Sequence, residues 1–490
     1  MRLLIVAAAF AGLSSALPTQ ECCTLLSQLY PTKVYAPDVT AYSTANKRYW
    51  SSTCSLKPSC FFEPNTVPEV SAAVKLFSQN NCKFSVTAGG HSTIPGAANN
   101  DRGVTVAMVN FQQREIDNST NIMHLGPGNR FYQAYAEMDK YNKVGVLGRY
   151  AQVGTGLLLG AGLSYLNNQE GLGVDNVKAY EVVLANGTVV TASRTSNSDL
   201  FKAMKGGGDN FGVVTRYDLQ LYDRPATVLG GLITYGEAGM ATLEDLTYDY
   251  HANVAPNDQQ THVLPNWGYN AATGLREAFV PVFYNKDVSV LPPSLKGWAD
   301  APTVKNTVRR TNSISALALE NNEGYGNGLV QEQRTFTVYA NKQFFHDVNA
   351  LYLEWSKKYQ HIEGFYTLHC NMPITPHAVA EGIRKGGNSL GLAGSKNQTL
   401  SVLYFGLSFK NLADTAAVFP AHDEFVESVK KIASDRGILH KYIMWNYSAY
   451  NQKVIEGYGP ESVAFLKRVS KKYDPTGGFL RLVGGQKLPE

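Results

Sequence analysis

Helical and extended hydrophobic patterns alternate along residues 66–225. The segment Thr66–Asn81 has apolar residues at helical spacing and opens with a threonine three residues before Glu69, the spacing of a capping box, which predicts an amphipathic helix. Strands are predicted at Cys82–Ala88 and Gly103–Val109, and a second helix at Asn129–Asn142. This alternation predicts an α+β or α/β lobe in the first half of the chain.

Glycine-rich segments punctuate the same lobe. Val153–Leu166 carries four glycines, and Tyr180–Ser193 predicts a hairpin closed by a type I′ turn at Asn186-Gly187. Residues Asn197–Tyr222 predict a short helix, a glycine stop at 206–208 and an alternating strand. These segments indicate that several loops of the lobe need close backbone approach or tight turns.

The pattern changes near Arg224-Pro225, where the glycine density falls. Apolar strands then alternate with long amphipathic helices, which predicts an antiparallel sheet covered by helices over residues 226–435. A further helix is predicted to end at Asp474-Pro475. We therefore expect a first domain at 17–225, a second at 226–435, and a C-terminal segment at 436–490.

The N-terminus predicts secretion. One arginine precedes an apolar run from Leu3 to about Leu13, and small residues follow, which is typical of a signal peptide cleaved after about Ala16. No apolar stretch is long enough to predict a membrane span. N-glycosylation is expected at the sequons of Asn118, Asn186 and Asn397.

The cysteines agree with an oxidising compartment. Five of the six lie in the first 82 residues. Cys54 and Cys60 are spaced to close a small loop, and Cys82 is able to pair with Cys22 or Cys23. The spacing does not choose among these connectivities.

Composition and charge restrict the classes of binding partner that are expected. The chain has 490 residues, of which 44% are apolar and 17% charged, with a formal net charge of +4, as expected for a globular protein. It contains no dense block of lysine and arginine, so nucleic acid is not an expected partner. No Cys/His pairing predicts a metal site, and no P-loop is present. The oligomeric state stays open, and a monomer is compatible with the sequence.

The stretch SVTAGGHSTIPGAA, Ser85–Ala98, ends a predicted strand in two glycines and a single histidine, His91. A second glycine segment begins the dinucleotide pattern G-x-G-x-x-G at Gly154, but Leu159 stands where its last glycine belongs. The glycines at 154–162 therefore either pack strands tightly or serve a different cofactor loop.

The combination of segments resembles the FAD-binding domain of the vanillyl-alcohol-oxidase superfamily. The segments AGGHS, VGTGLLLGAGLSYL, YEVVLANGTVV and SDLFKAMKGGGDNFGVV occur in that order, and GGNSLGL with KYDPTGGF is similar to the fungal berberine-bridge-enzyme-like oxidases. The resemblance implies an α+β fold with a two-lobed PCMH-type FAD-binding domain, its core at about 56–225. It also implies an α/β substrate domain and a C-terminal segment that returns to the FAD domain.

The resemblance implies positions for FAD. Backbone N–H groups of the AGGHS loop would bind the pyrophosphate, with no Cβ at two glycines to obstruct it. Other residues would line the flavin and ribityl side, sit close to the cofactor or face the adenine. In full, the cofactor residues implied are Ala88, Gly89, Gly90, His91, Ser92, Gly154, Thr155, Gly160, Ser164, Asp175, Asn176, Val213, Val214 and Asn446.

In this family the histidine of GGHS bonds to the flavin 8α-methyl carbon, which assigns that link to His91. A neutral imidazole is a competent nucleophile near neutral pH. Many relatives carry a second link from a cysteine in a GxCxxVGxG segment, but here Tyr150 occupies that position. Single attachment is therefore expected, and singly linked relatives favour small substrates over oligosaccharides.

The catalytic base has three candidates. Relatives place a tyrosine over the flavin in a Y-x-N-Y segment; here Asn446-Tyr447 matches the second half, while Met444 replaces the first tyrosine. Either Tyr442 or Tyr447 supplies the phenol, or Tyr404 does so from the substrate domain. If Asn446 faces the flavin, its own sequon is shielded.

The function expected is dehydrogenation of a small secondary-metabolite-type substrate by hydride transfer to covalently bound FAD, with O2 as acceptor. An oligosaccharide oxidase is the alternative within the same class. A cyclase or binding protein that holds FAD without net oxidation is the alternative from another class.

Overall fold

The fold is described from a computed structural model that covers residues 19–322 and 327–490. The predicted signal peptide, residues 1–16, lies outside the described residues. The helices are α1 Thr19–Leu29, α2 Thr40–Asn46, α3 Val67–Asn80, α4 Phe131–Asp139, α5 Leu157–Gly160, α6 Asn167–Glu170, α7 Ser198–Met204, α8 Met240–Asp249, α9 Ala255–Asn257, α10 Pro293–Asp300, α11 Ile314–Glu320, α12 Lys342–Lys357, α13 Pro376–Arg384, α14 Thr415–Asp435, α15 Val454–Gly457, α16 Pro460–Tyr473 and α17 Gly478–Leu482.

The strands form three sheets. They are β1 Val34–Tyr35, β2 Cys60–Phe62, β3 Phe84–Thr87, β4 Val104–Ala107, β5 Arg114–Asp117, β6 Ile122–Leu125, β7 Lys143–Gly145, β8 Val177–Val183, β9 Val189–Ser193, β10 Val213–Asp223, β11 Val228–Tyr235, β12 Thr261–Val263, β13 Asn266–Asn270, β14 Leu275–Tyr284, β15 Lys305–Asn306, β16 Arg309–Thr311, β17 Val330–Tyr339, β18 Tyr366–Ile374, β19 Leu400–Phe409 and β20 Leu439–His440.

The two smaller sheets build the first half of the fold. One has the order β1-β2-β4-β3, with β4 parallel to both β2 and β3, and α3 connects β2 to β3. The other has the order β5-β6-β10-β8-β9 and is antiparallel, with β7 also paired to β10. The mixture of a parallel sheet, an antiparallel sheet and helices confirms the predicted α+β class.

The large sheet is antiparallel throughout and takes its strands from residues 228–440. Its main order is β15-β11-β14-β13-β18-β19-β17-β20. Helices α12 and α14 pack their apolar side chains against one face, where Phe336, Phe405 and Trp355 share a core. Because side chains alternate along a strand, the other face is left free to line a cavity. The domain boundaries remain predictions.

The C-terminal tail packs on the first sheet. Helix α16 ends at Tyr473, just before Asp474-Pro475 as predicted. The ring of Phe479 then lies edge-on to Phe84 of β3 at 5.8 Å between centroids. The tail therefore closes over the strand that leads into the AGGHS loop.

The disulfides settle one open pairing and correct another. Cys22 bonds to Cys82 and Cys23 to Cys60, which ties α1 to the first sheet. The pairing of Cys54 with Cys60 is wrong, since Cys60 is taken by Cys23 and Cys54 is a free buried thiol. Its sulfur contacts the carbonyl of Ser92 at 3.1 Å instead.

Two local predictions are also corrected. The β8–β9 turn is not type I′, because among its residues only Gly187 has a positive φ, at 83°. The N–H of Gly187 donates to Leu184 O, which makes a three-residue loop with glycine in the left-handed position. At the start of α3, Thr66 is the N-cap residue but its side chain makes no cap bond; the Glu69 carboxylate accepts from the N–H of Asn65 instead.

Candidate active site

An elongated cavity of about 330 Å³ lies between the first half of the fold and the free face of the large sheet. Its wall joins the AGGHS loop, the turn that follows β7, the start of β10, the middle of the large sheet and the C-terminal tail. Of the residues predicted to hold FAD or act in catalysis, the wall includes Ala88, Gly89, Gly90, His91, Ser92, Gly154, Val213, Val214, Tyr404, Asn446 and Tyr447.

The two glycine loops touch backbone to backbone. A Cβ atom on Gly89 would lie 2.6 Å from the Gly154 nitrogen, and one on Gly154 would lie 2.6 Å from Gly89 Cα. Gly90 has a φ of +70°, and a Cβ there would lie 3.0 Å from Arg48 O. The missing side chains of Gly89 and Gly154 therefore let the two loops meet. That Gly89 and Gly90 also leave room for the phosphates stays a prediction.

The AGGHS loop nevertheless presents free donors. The backbone N–H groups of Gly89, Gly90 and Ser92 donate no hydrogen bond to any residue in the described parts of the chain. Successive unpaired N–H groups at the end of a strand form a concave site suited to an anion such as a pyrophosphate. The residues of this loop are therefore suited to binding FAD.

His91 is held neutral and stacked. Its ring lies 4.3 Å from the Trp50 ring with an interplanar angle of 17°. Burial, with the nearby Arg130 guanidinium adding to it, lowers the pKa of His91 from 6.5 to about 4. The imidazole is therefore unprotonated at neutral pH, which is the nucleophilic form.

One end of the cavity is apolar. Val213 and Val214 at the start of β10 lie on its wall together with Val86, Phe479 and Val483. Such a slot between a sheet and the C-terminal tail suits the flat face of an aromatic base. Val213 and Val214 thus line the cavity, and their place at the adenine end stays a prediction.

Elsewhere on the cavity wall, the side chain of Asn446 is hydrogen-bonded to the glycine segment. Its Oδ1 accepts from the N–H groups of Ala161 and Gly162 at 2.9 and 3.0 Å, and its Nδ2 donates to Leu157 O at 3.1 Å. A Cβ on Gly160 would lie 2.5 Å from Asn446 Nδ2, so this glycine makes room for the amide rather than lining the cavity. Because Asn446 Nδ2 is already hydrogen-bonded to Leu157 O, this nitrogen is not available for attachment of a glycan.

Tyr447 and Arg149 form a pair on the cavity wall. The Arg149 Nη2 donates to Tyr447 Oη at 3.1 Å. Burial raises the pKa of Tyr447, and the adjacent guanidinium opposes that rise. Tyr404 packs edge-on to Tyr447 at 5.5 Å between centroids. Burial, with the nearby Cys370, Tyr150 and Tyr447 adding to it, raises the pKa of Tyr404 well above 10.

The structure does not bring Tyr442 to the cavity. Its side chain is buried against Tyr458 at 5.9 Å between centroids, and its hydroxyl has no hydrogen-bond partner in the described residues. Tyr442 is therefore corrected from a candidate base to a core residue. This leaves Tyr447 and Tyr404 as the tyrosines from the original set that face the cavity.

Four more predicted cofactor residues support the loops without lining the cavity. Thr155 donates to Pro127 O, and the Ser164 hydroxyl accepts from a neighbouring N–H. Asp175 accepts from Asn388, and Asn176 accepts from Tyr222 and Lys385. Asp175 thus braces the Gly-Gly-Asn-Ser turn after α13 through Asn388, whereas Asn176 is bonded to Tyr222 and to Lys385 just before that turn. Neither residue lies on the cavity wall, which corrects their predicted place beside the cofactor.

Three wall residues that bear on the chemistry were not predicted from the sequence, namely Trp50, Arg149 and Cys370. Trp50 follows no motif, and Cys370 is an ordinary strand residue whose pKa burial raises to about 12. Arg149 stands directly before Tyr150 in a segment that is otherwise apolar from Val144 to Leu147. A charged residue in such a segment was the one available signal, because a buried charge needs a partner or a ligand.

Comparisons with known proteins identify an FAD binding domain and similar oxidoreductases. An FAD binding domain family matches residues 58–193. An FAD-dependent monooxygenase from Cochliobolus heterostrophus is 32% identical over 96% of this chain and 94% of its own length. The solved 6-hydroxy-D-nicotine oxidase from Arthrobacter nicotinovorans superposes with a TM-score of 0.77 at 20% identity over 98% of this chain and 99% of that one. Xylooligosaccharide oxidase from Myceliophthora thermophila gives 0.75 at 20% identity, covering 96% and 99%.

The glycine loops, the free N–H groups beside a neutral histidine and the extent of these matches lead to one assignment. The chain belongs to the FAD-dependent oxidoreductases that include the Cochliobolus heterostrophus enzyme, and it has the PCMH-type fold of the solved oxidases.

Proposed function

We propose that this oxidoreductase is an oxidase that holds FAD through one covalent bond from His91 and dehydrogenates a small, largely apolar substrate, with O2 as acceptor. One observation carries the proposal. The phenol of Tyr447, which is hydrogen-bonded to the guanidinium of Arg149, faces the same cavity as the neutral imidazole of His91. FAD, when bound, supplies a two-electron acceptor for hydride. The chain itself must supply the base and the anchoring nucleophile.

His91 has the state that anchoring requires. Its ring nitrogen is unprotonated at neutral pH, and stacking on Trp50 fixes the plane of the ring. The AGGHS loop would hold the pyrophosphate by N–H groups whether or not the bond forms. Tyr150 stands where doubly linked relatives carry cysteine, so a single link is proposed.

Tyr447 is the proposed catalytic base. It accepts the substrate hydroxyl or amine proton at its phenolic oxygen as hydride leaves the neighbouring carbon. The Arg149 N–H bonded to that oxygen stabilises the negative charge it carries while deprotonated. Tyr404 contacts the ring of Tyr447 and helps to orient it.

The setting proposed is extracellular. Two disulfides in the described chain fit an oxidising compartment, and the sequons of Asn118, Asn186 and Asn397 lie at exposed positions. No helix in the described parts of the chain is long and apolar enough to cross a membrane. Cleavage after about Ala16 and glycosylation at the three sequons are part of the proposal.

The decisive experiment is intact-protein mass after acid denaturation. The parent should retain the mass of FAD, His91→Ala should release FAD while still folding, and Tyr150→Cys tests the vacant second linkage position. A parent that releases all its FAD contradicts the His91 link. Retention by both parent and His91→Ala would place the link on another residue.

The reaction type is tested by O2 uptake on a panel of small phenols, alcohols and amines together with xylo- and cello-oligosaccharides. An oxidase forms one peroxide per substrate consumed, whereas incorporation of label from ¹⁸O2 into product would indicate a monooxygenase. Strong turnover of oligosaccharides alone would favour the carbohydrate-oxidase alternative. Product formation from the bound substrate without O2 uptake would favour a cyclase.

A further inference from the structure

Arg149 is a buried cation on the cavity wall without a counter-ion. Its side chain is 3% exposed. The guanidinium donates to Tyr447 Oη and Met372 Sδ, both neutral acceptors, and its Nε has no partner among the described residues. Within residues 19–322 and 327–490, no carboxylate lies within ion-pairing distance of it.

The other buried arginines are paired. Among the described residues three arginines are buried, and Arg224 meets Asp139 at 3.0 Å while Arg334 meets Glu332 at 2.9 Å. A buried guanidinium is normally retained with a carboxylate because its desolvation is costly. Arg149 is the exception, and it is also the buried arginine that lines the cavity.

Among the described residues, the groups around Arg149 carry no negative charge of their own. Burial keeps the Cys370 thiol protonated, with its pKa at about 12. Burial, with Arg149 adding to it, lowers the pKa of His262 well below its usual range, so that ring is neutral. The remaining wall nearby, including Leu264, Leu368 and Met372, is uncharged.

We propose that Arg149 binds a carboxylate group of the substrate, so that the enzyme selects a small carboxylic acid with an apolar or aromatic body. The inference rests on the oxidase function proposed above and adds the substrate class. A planar guanidinium fork matches the two oxygens of a carboxylate, and a low-dielectric wall strengthens that contact. The ring of Tyr404 and the aliphatic wall would then hold the body of the acid.

The test measures binding of matched probes to the flavin-loaded enzyme. Benzoate and benzamide have nearly the same shape and differ in charge, and 2-naphthoate with 2-naphthamide repeats the comparison for a larger body. Binding is followed by perturbation of the flavin absorbance and by tryptophan fluorescence. The parent should prefer the acids by about tenfold to a hundredfold, the range expected for a charge-assisted hydrogen bond.

Variants assign the preference to the guanidinium. Arg149→Met should reduce the preference to about onefold, and Arg149→Lys should keep part of it because the charge remains. Tyr447→Phe is the matched control, since it removes the neighbouring hydroxyl and leaves the cation; the preference should persist. If Arg149→Met does not bind flavin, the acid-over-amide preference is compared between the parent and Arg149→Lys, and this comparison still tests the proposal.

Three results would overturn the inference. The first is equal affinity of acid and amide in the parent, including the case in which neither probe binds. The second is a preference that survives in Arg149→Met. The third is a shift of the flavin potential in Arg149→Met with the acid preference unchanged, which would mean that the cation serves the flavin. Because the readout is binding, a failure of the covalent link or of O2 reactivity is detected separately by the mass and peroxide assays.

Discussion

Gly89 and Gly154 lie so close that the Cβ of an alanine at either position would fall 2.6 Å from the backbone of the other. Gly89 lies two residues before His91 in the AGGHS loop, and Gly154 lies in the second glycine segment. Their contact holds the two loops together beside the cavity, whose wall includes both residues.

Gly89→Ala and Gly154→Ala should therefore push the loops apart. Overpacking of this kind costs about 1–3 kcal/mol, and the larger consequence is lost FAD. The measurement is flavin content per polypeptide together with the thermal midpoint. Gly394→Ala is the control, because a Cβ there has no atom within 4 Å and this glycine is not on the cavity wall, so the variant should keep full flavin. Equal flavin loss in all three variants would contradict the role of the contact.

The sequence predicted the elements of the fold better than the geometry of the site. Hydrophobic periodicity located α3, β3 and α16, because each buries one face whatever lies around it. It could not separate Tyr442 from Tyr447, which are five residues apart in an aromatic segment. Which of the two faces the cavity depends on how the whole segment packs, and that packing is long-range.

Arg149 shows a second limit of the same kind. A sequence does not display whether an arginine is buried with a carboxylate or without one. Arg224 and Arg149 are both arginines in largely apolar surroundings, yet only the fold brings Asp139 to the first. Whether a buried arginine meets a carboxylate therefore depends on the tertiary structure, which the sequence alone does not show.

The pH profile should identify the base. Below the pKa of Tyr447, kcat/KM should rise about tenfold per pH unit, since only the phenolate accepts a proton. Arg149→Met should move the inflection to higher pH, because loss of the neighbouring cation raises the pKa of the phenol. Tyr447→Phe should lower the rate by about 10²–10⁴-fold and abolish the inflection.

Tyr442→Phe serves as the control for that profile. Its hydroxyl is buried without a partner, so its removal should leave both the inflection and the rate unchanged. An inflection that persists in Tyr447→Phe and disappears in Tyr404→Phe would transfer the role of base to Tyr404.

The disulfides should stabilise the first sheet. Replacing Cys23 and Cys60 together by serine removes the link from α1 to β2 and should cost about 2–5 kcal/mol of unfolding free energy. Denaturant unfolding under non-reducing conditions measures the change. Cys54→Ser is the control, because that thiol closes no loop and serine can still donate to Ser92 O. Equal loss in both variants would contradict the assigned pairing.

Acid should destabilise the fold through its buried histidines, and His251 is the clearest case. Its Nδ1 donates to Thr247 O at 2.8 Å, while its Nε2 is buried with no partner among the described residues. Burial lowers the pKa of His251 from 6.5 to about 4, so the folded state keeps the ring neutral where the unfolded chain protonates it. The unfolded state therefore binds more protons between those values, and stability falls as the pH drops from about 6.5 towards 4.

The expected contribution of His251 to that loss is on the order of 3 kcal/mol, reached near pH 4. It is measured by unfolding at pH 7 and at pH 4.5 in the parent and in His251→Gln, which keeps a donor but does not titrate. The variant should lose less stability between the two pH values than the parent does. His377→Gln is the control, since that ring is only partly buried and bonds to a backbone carbonyl at 3.2 Å. Identical pH dependence in the parent and His251→Gln would show that His251 is already protonated in the folded protein, or that other groups cause the acid sensitivity.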